Sequence, residues 1–396
     1  MSLRAILVGL LGSVAVCGLS HLNSDVLRQT PLVGNSLPLA VYGTMLIFVI
    51  GINPWLKKWR FSNRELAVIL ALVLAGSAIP GVMRTFFPSL VVPLQKQYVR
   101  PAWKKQNILA KLPEGMLVHP ESGEEYDRVV ADYIRGREGS GKAENGLLNI
   151  PWKAWKRPLL FWLPVLLALW IALIGLSMFV HRQWSENERL PYPIASFTSA
   201  LLPDDNGDVP EFFRRPMFWS AAAVVFLIHL NNYLVTWFPK YGVAIPLTFD
   251  FTSLAQVFPT LVRGGGTRML SVHLYFVIIG FAYLIPKEVS FSFGVGPTLW
   301  YLLMGVCAAY GINLTAPLDG NGYFSLRPQS FALFGANVGI LLMILYTGRQ
   351  YYLSTALRAL GVPIKNEVDS DPVSILGFRI FLISSILLMV QMMTVG

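Results

Sequence analysis

Three side chains that could bind a solute or an ion interrupt an apolar run near the middle of the chain. His229, Asn231 and Asn232 occur together in the sequence LIHLNNYLVTW. An imidazole and two amides can donate and accept hydrogen bonds, and polar groups in a membrane segment usually face the protein interior or a water-filled path. Two interpretations stay open. One is an interhelical hydrogen-bond cluster that fixes packing, at about 1 kcal/mol or less per bond, and the other is the lining of a transport pathway.

A second polar group follows the first apolar run. The stretch HLNSDVLRQTP, residues 21–31, contains Asn23, Arg28 and Gln29. Because it is a short connection between two apolar runs, we expect it at the mouth of a helix bundle, where these three residues would contact a solute. The simpler interpretation is that Asp25 and Arg28 only pair with each other at i, i+3 spacing.

A charged collar and two prolines follow the fourth apolar run. Glu188 and Arg189 precede Pro191 and Pro193 in the sequence ERLPYP. Proline removes a backbone donor and disfavours the helical conformation of the residue before it. We therefore predict a break in residues 190–203, on the cytoplasmic side, that contains a helix too short to span a membrane. Glu188 and Arg189 are predicted to fix the break by binding backbone groups or neighbouring side chains, and a direct role in transport is the alternative.

The sequence lacks the residue patterns of enzymes, metal sites and nucleic-acid-binding proteins. Its five histidines are scattered without i, i+4 partners, and Cys17 and Cys307 lie in separate apolar runs. The glycines at 264–266 are not followed by the Gly-Lys-Ser/Thr of a phosphate-binding loop. No stripe of lysine and arginine with interleaved aromatic residues occurs outside the loop flanks. We therefore predict no enzymatic activity, no cofactor, no bound metal and no nucleic-acid partner.

Composition decides the class of protein. Hydrophobic residues make up 54% of the chain and charged residues 14%, whereas charged residues usually make up roughly a quarter of a soluble protein. Runs of about 20 apolar residues can cross a hydrocarbon core of roughly 30 Å. Nine such runs lie near Ala5–Ser20, Leu37–Leu56, Leu66–Met83, Leu159–Val180, Phe218–Phe238, Leu270–Ile285, Thr298–Asn313, Phe331–Tyr346 and Ile375–Met393. The sequence predicts an all-α polytopic integral membrane protein with about nine transmembrane helices.

The one sizeable polar region, residues 96–157, is predicted to be a small extracytoplasmic cap between spans three and four. It divides the chain into residues 1–95, with spans one to three, the cap, and residues 158–396, with spans four to nine. The FFPSLVVP stretch at residues 86–93 forms either the base of the cap or a re-entrant segment buried in protein.

Lysine and arginine in the short loops predict the orientation. They cluster at residues 57–60, 214–215 and 349–365, which places the N-terminus in the cytoplasm and the C-terminus outside. The net charge of +10 has the same origin. We expect a multi-pass protein of the inner cell membrane.

Two motifs carry a resemblance. The residues QWSENERLPYP (183–193) and GFAYLIPKEVSFSF (280–293) resemble those of an uncharacterised bacterial multi-pass membrane family. That family is similar to the oligopeptide transporter (OPT) superfamily, whose members have a comparable leucine-proline-aromatic-proline element after a long span. The resemblance covers about residues 22–361 in organisation, and only these two motifs are specific. It implies secondary transport of peptides or metal chelates, driven by a proton or other ion gradient, although the related chains continue for several more spans.

Two functions are therefore expected from the sequence. The first is a secondary transporter or transporter half, for peptides or related small solutes. The alternative is a non-transporting scaffold subunit of a larger membrane complex, which the shorter chain and the scarcity of carboxylates in the apolar runs favour. An odd number of spans cannot form two equal inverted halves. We therefore predict a homo-oligomer or an assembly with other membrane subunits in the lipid bilayer, with the last span and the fifth near the contact.

Overall fold

The computed structural model describes residues 2–28, 32–33, 38–113, 115–119, 127–135, 151–203, 209–240, 242–314, 327–363 and 371–395. In chain order its elements are α1 (Leu3–His21), α2 (Leu39–Ile47), α3 (Asn63–Ser77), α4 (Ile79–Val99), α5 (Pro101–Lys105), α6 (Asp132–Arg135), α7 (Trp152–Arg182), α8 (Pro193–Leu201), α9 (Pro216–Trp237), β1 (Thr248–Asp250), α10 (Pro259–Arg263), β2 (Ser271–His273), α11 (Phe276–Ala282), α12 (Lys287–Ala309), α13 (Pro328–Thr347), α14 (Arg349–Ala359) and α15 (Pro372–Val395). The chain divides into two compact units. Unit 1 contains Met1–Glu188 and Gln350–Gly396, and unit 2 contains Arg189–Arg349.

The described residues include eight helical segments that are long and apolar enough to cross a membrane. They are Leu3–Ser24, Ala40–Lys57, Asn63–Val99, Trp152–Asn187, Pro216–Trp237, Lys287–Ala309, Pro328–Thr347 and Pro372–Thr394. This confirms the predicted class, an all-α multi-pass membrane protein. Proline occupies the first turn of several of these helices, where its missing N–H costs nothing.

The predicted sixth spanning helix, near residues 270–285, is wrong. These residues form β2 and the seven-residue helix α11. Strand β2 pairs antiparallel with β1, with Thr248 opposite His273 and Asp250 opposite Ser271. Run length and overall apolarity do not distinguish a strand from a helix, and here the pairing between strands about 20 residues apart decided the outcome.

In unit 1, helices α1 and α3 pack side by side and run in the same direction. Near their starts, Arg4 Nη2 lies 2.6 Å from Glu65 Oε2. Further along both helices, Ser13 Oγ donates to the carbonyl oxygen of Leu72 at 2.9 Å. Helix α3 begins at a capping box in which Ser62 and Glu65 bind each other's backbone N–H groups. Parallel α1 and α3 require the apolar segment between them, which contains α2, to run back across the membrane.

Residues 86–93 lie within α4 and contribute to a hydrophobic cluster with residues of the predicted cap. Leu90 and Val91 are buried against Val118, Val129 and Trp155. The rest of the predicted cap, residues 114, 120–126 and 136–150, lies outside the described residues. The packing joins the end of α4 to the start of α7, and the cap's extracytoplasmic position stays a prediction.

Helices α7 and α15 form an antiparallel pair whose backbones are in contact at Gly175 and Gly377. A Cβ atom at Gly377 would lie 2.7 Å from Met178 Cβ and 2.8 Å from the backbone nitrogen of Phe179. Gln391, near the end of α15, donates to the carbonyl oxygen of Phe161, near the start of α7, at 2.9 Å. Glycine is required here because a side chain would hold the two backbones apart.

Both junctions between unit 1 and the inserted residues 189–349 lie at the same end of this pair. Trp184, just beyond α7, donates its indole N–H to the hydroxyl of Tyr352 at 3.1 Å. The neighbouring Tyr351 donates from its hydroxyl to Phe179 O at 3.3 Å and lies 2.9 Å from Ser374 Oγ. The chain therefore leaves and re-enters unit 1 at one end of the α7–α15 pair.

Replacing Gly377 with alanine is expected to destabilise the protein by about 1–3 kcal/mol, the usual cost of overpacking a close contact. Gly18→Ala is the matched control, because no atom of another element lies within 4 Å of its added methyl group. Thermal unfolding in mild detergent measures both variants. Equal melting temperatures for the two would contradict this close contact.

Candidate functional site

Two asparagines of α9 bind the backbone of the extended segment that follows the helix. Asn231 Nδ2 donates to the carbonyl oxygen of Val243 at 3.0 Å. Asn232 Nδ2 donates to Ile245 O, and Ile245 N donates to Asn232 Oδ1, both at 2.8 Å. The amide of Asn232 therefore pairs with Ile245 as a neighbouring strand would, and it holds the segment before β1 against α9. We call the antiparallel pair of β1 and β2 the hairpin.

The two strands that follow this extended segment carry further polar groups. Thr248 Oγ1 and His273 Nδ1 lie 2.9 Å apart across the two strands. Asp250 Oδ1 accepts a hydrogen bond from Thr252 N at 2.9 Å. The ring of His229 meets Phe276 edge-on at 5.7 Å, so α9 also contacts the start of α11. We call Asn231, Asn232, His229, Thr248, Asp250 and His273 the hairpin site.

Close backbone packing fixes the chain between the two strands. Gly264 follows α10 and lies against the backbone of Tyr301, and Gly305 lies against the backbone of Thr260. Both pairs join α10 to the second half of α12. A methyl group at either glycine would overlap a backbone oxygen, so only glycine permits this approach.

The other predicted binding residues are in a different unit. Asn23 lies in the π-helical turn Leu22–Val26 after α1, and Arg28 follows it with a positive φ of 53°. Both belong to unit 1, whereas the hairpin site belongs to unit 2. Gln29 lies outside the described residues. A role for these three residues in binding a solute stays a prediction.

The ERLPYP motif marks the boundary between the units, which falls between Glu188 and Arg189. Before it, Glu188 Oε1 accepts a hydrogen bond from Gln183 Nε2 at 3.0 Å, and Gln183 is only 6% exposed. After it, Arg189 has a positive φ of 49°, and Pro193 begins the nine-residue helix α8. In the described residues, Glu188 thus binds the turn that follows α7, Pro191 lies in the break, and Pro193 is the first residue of α8.

Glu188→Gln is expected to lower the melting temperature slightly, because the amide oxygen can still accept from Gln183 and only the charge assistance is lost. For the transport function predicted from the sequence, solute uptake should stay within about twofold. Glu186→Gln is the control, since Glu186 is 62% exposed and pairs with Arg182 on its own helical turn. Melting curves and uptake by proteoliposomes measure the effect. Loss of uptake by Glu188→Gln at unchanged stability would instead indicate a direct role in transport.

One family model matches the entire chain, residues 1–396, and its description is "Family of unknown function (DUF6785)". The chain belongs to the DUF6785 family. Neither the comparison with curated proteins nor the comparison with solved structures gave a match. The description of DUF6785 assigns no activity, so the resemblance to oligopeptide transporters stays a prediction.

Within this DUF6785 member, sequence reasoning missed the hairpin half of the site. His273 falls within the predicted sixth span, and Thr248 and Asp250 fall outside every predicted span. A signal was present, because apolar and polar residues alternate in LTFDF (247–251) and in SVHLY (271–275). Such alternation is typical of a strand. Among the described residues of the DUF6785 chain, no three histidine, cysteine, aspartate or glutamate side chains form a group that could hold a metal ion.

Proposed function

We propose that this chain is a secondary membrane transporter, or one half of such a transporter, for peptides or related small solutes. One observation carries the proposal: Asn232, on a helix long and apolar enough to span a membrane, binds a non-helical segment through both backbone groups of Ile245. Transporters commonly place their solute sites where broken backbone meets a spanning helix.

The depth of the site supports this function. Asn232 lies five residues before the end of α9 at Trp237, and His229 lies eight residues before it. At about 1.5 Å per residue these positions are about 8 Å and 12 Å inside the end of the helix. Irregular backbone at such a depth is tolerated where it is covered by protein or lines a water-filled cavity.

A peptide is the solute class that suits the hairpin best. The bonds from Phe251 N to Leu270 O and from Leu274 N to Leu247 O, both 2.7 Å, set the register of the two strands. In that register the backbone groups of Thr248 and Asp250 point away from β2, to the outer edge of β1. An extended peptide can pair with such an edge through its own backbone.

Uptake by proteoliposomes tests the proposal. The purified chain should accumulate short peptides when an inward proton gradient is imposed, and an ionophore that collapses the gradient should abolish accumulation. A peptide with methylated backbone nitrogens cannot donate hydrogen bonds and should compete poorly. If the chain takes up neither peptides nor free amino acids under any imposed ion gradient, secondary transport is rejected.

A scaffold subunit is the second candidate, and a separate observation favours it. Within the described chain, neither α9 nor α13 has a buried residue. Helices whose surfaces are this exposed in a single chain can contact another copy or another membrane subunit, as well as lipid. Native mass spectrometry in mild detergent distinguishes the candidates: a monomer that transports supports the first, and an inactive chain found only in a complex supports the second.

A further inference from the structure

We infer that residues 259–286 cross the membrane without forming a spanning helix, and that the hairpin site beside them faces water inside the membrane. We call residues 259–286 the broken crossing. It contains α10, β2 and α11, of which the longest helix has seven residues. At about 1.5 Å per residue, seven residues rise only about 10 Å, a third of the hydrocarbon thickness.

The packing against α12 gives the first argument. Thr260 lies against Gly305 and Gly264 lies against Tyr301, so α10 runs antiparallel to α12 near the C-terminal end of α12. The chain then continues to Lys287, the first residue of α12. The 18 residues of α12 between Lys287 and Gly305 rise about 27 Å, close to the roughly 30 Å of a hydrocarbon core. Since α12 can span the membrane, Thr260 and Lys287 lie near opposite faces.

The number of crossings gives an independent argument. The contacts of Trp184 and Tyr351 place both junctions of residues 189–349 at the same end of the α7–α15 pair. Residues 189–349 must therefore cross the membrane an even number of times. In the described residues of this insertion, three helices are long enough to cross, α9, α12 and α13. The broken crossing supplies the fourth crossing and makes the number even.

The polar groups of the segment exclude lipid as its neighbour. Arg263 and Arg268 are both exposed in the described chain, and an arginine that faces lipid in the middle of a bilayer costs about 2.5 kcal/mol or more. The outward backbone groups of Thr248 and Asp250 would lose their hydrogen bonds in hydrocarbon. Water must therefore reach this side of the hairpin. The crossing itself does not depend on the proposed transport function, whereas the use of this water path for a solute rests on it.

Cysteine labelling tests the crossing. In a background with Cys17→Ala and Cys307→Ala, Lys240→Cys and Lys287→Cys place single thiols before and after the segment. A membrane-impermeant maleimide should label Lys240→Cys only in sealed vesicles of one orientation and Lys287→Cys only in vesicles of the other. Labelling of both from the same side overturns the crossing. Phe238→Cys and Glu288→Cys provide a second pair if either variant does not fold.

Reactivity with a charged methanethiosulfonate tests the exposure to water. Thr248→Cys and Thr267→Cys should react at least about tenfold faster than Met343→Cys, because a charged reagent is excluded from lipid. Met343 is the control because it is 72% exposed on α13 in an apolar setting. Asp250→Cys, on the same face of the strand pair, replaces Thr248→Cys if the latter does not fold. Rates equal to that of Met343→Cys overturn the water path, and because no transport is measured, neither result depends on the proposed function.

Discussion

A single methyl group at Gly305 is expected to destabilise unit 2 by about 3 kcal/mol and to abolish solute uptake. The added methyl group would overlap main-chain atoms, which cannot move aside without moving a helix. A Cβ atom at this position would overlap the backbone oxygen of Thr260 and lie 2.7 Å from its carbonyl carbon. A side chain can rotate away from such a contact, whereas backbone moves only if the helix that carries it moves. Gly305→Ala should therefore separate α10 from α12 and displace the broken crossing.

Gly296→Ala is the matched control on the same helix. No atom of another element lies within 4 Å of the added methyl group. Removing a helical glycine should stabilise α12 by about 0.5–1 kcal/mol. Thermal unfolding in detergent should give opposite shifts for the two variants, and Gly264→Ala, which meets Tyr301, should behave like Gly305→Ala. If Gly305→Ala melts at the wild-type temperature, the close packing of α10 on α12 is wrong.

Asn232→Leu is expected to reduce solute uptake at least about tenfold, which corresponds to a loss of about 1.4 kcal/mol. Leucine has a similar size but cannot bind Ile245, so the backbone N–H and C=O of Ile245 lose their partners. Each lost hydrogen bond contributes about 0.5–1.5 kcal/mol. The extended segment should then detach from α9 and carry the hairpin away from its position.

Two further variants separate this effect from a general loss of polarity in the spans. Asn337→Leu removes an amide that, within the described residues, donates to Leu333 O on its own helix, and uptake should stay unchanged. Asn232→Asp keeps the acceptor for Ile245 N and loses the donor to Ile245 O, so uptake should fall between wild type and Asn232→Leu. Wild-type uptake by Asn232→Leu would remove this residue from the candidate site.

The main features of the membrane fold were predictable from run length. Hydrocarbon thickness fixes the length of a spanning helix, so eight of the nine predicted runs coincide with helices long and apolar enough to cross. The ninth, residues 270–285, fails as a helix because β2 obtains its backbone partners from β1. Pairing with a strand that is distant in sequence leaves only a weak signal in the local sequence, and the length of the apolar run favours a helix.

The sequence alone determined that His229, Asn231 and Asn232 are candidate site residues. An imidazole and two amides are rare in an apolar run. Only the tertiary structure decided what the asparagines contact, since their partners are backbone atoms of Val243 and Ile245, and every residue carries such atoms. The same holds for glycine: Gly296 and Gly305 lie in one helix and look alike in sequence, yet only Gly305 meets another backbone. Lipid thickness and side-chain polarity act on each segment separately, so their effects can be predicted from the local sequence. The approach of two backbones depends on the fold of the whole chain.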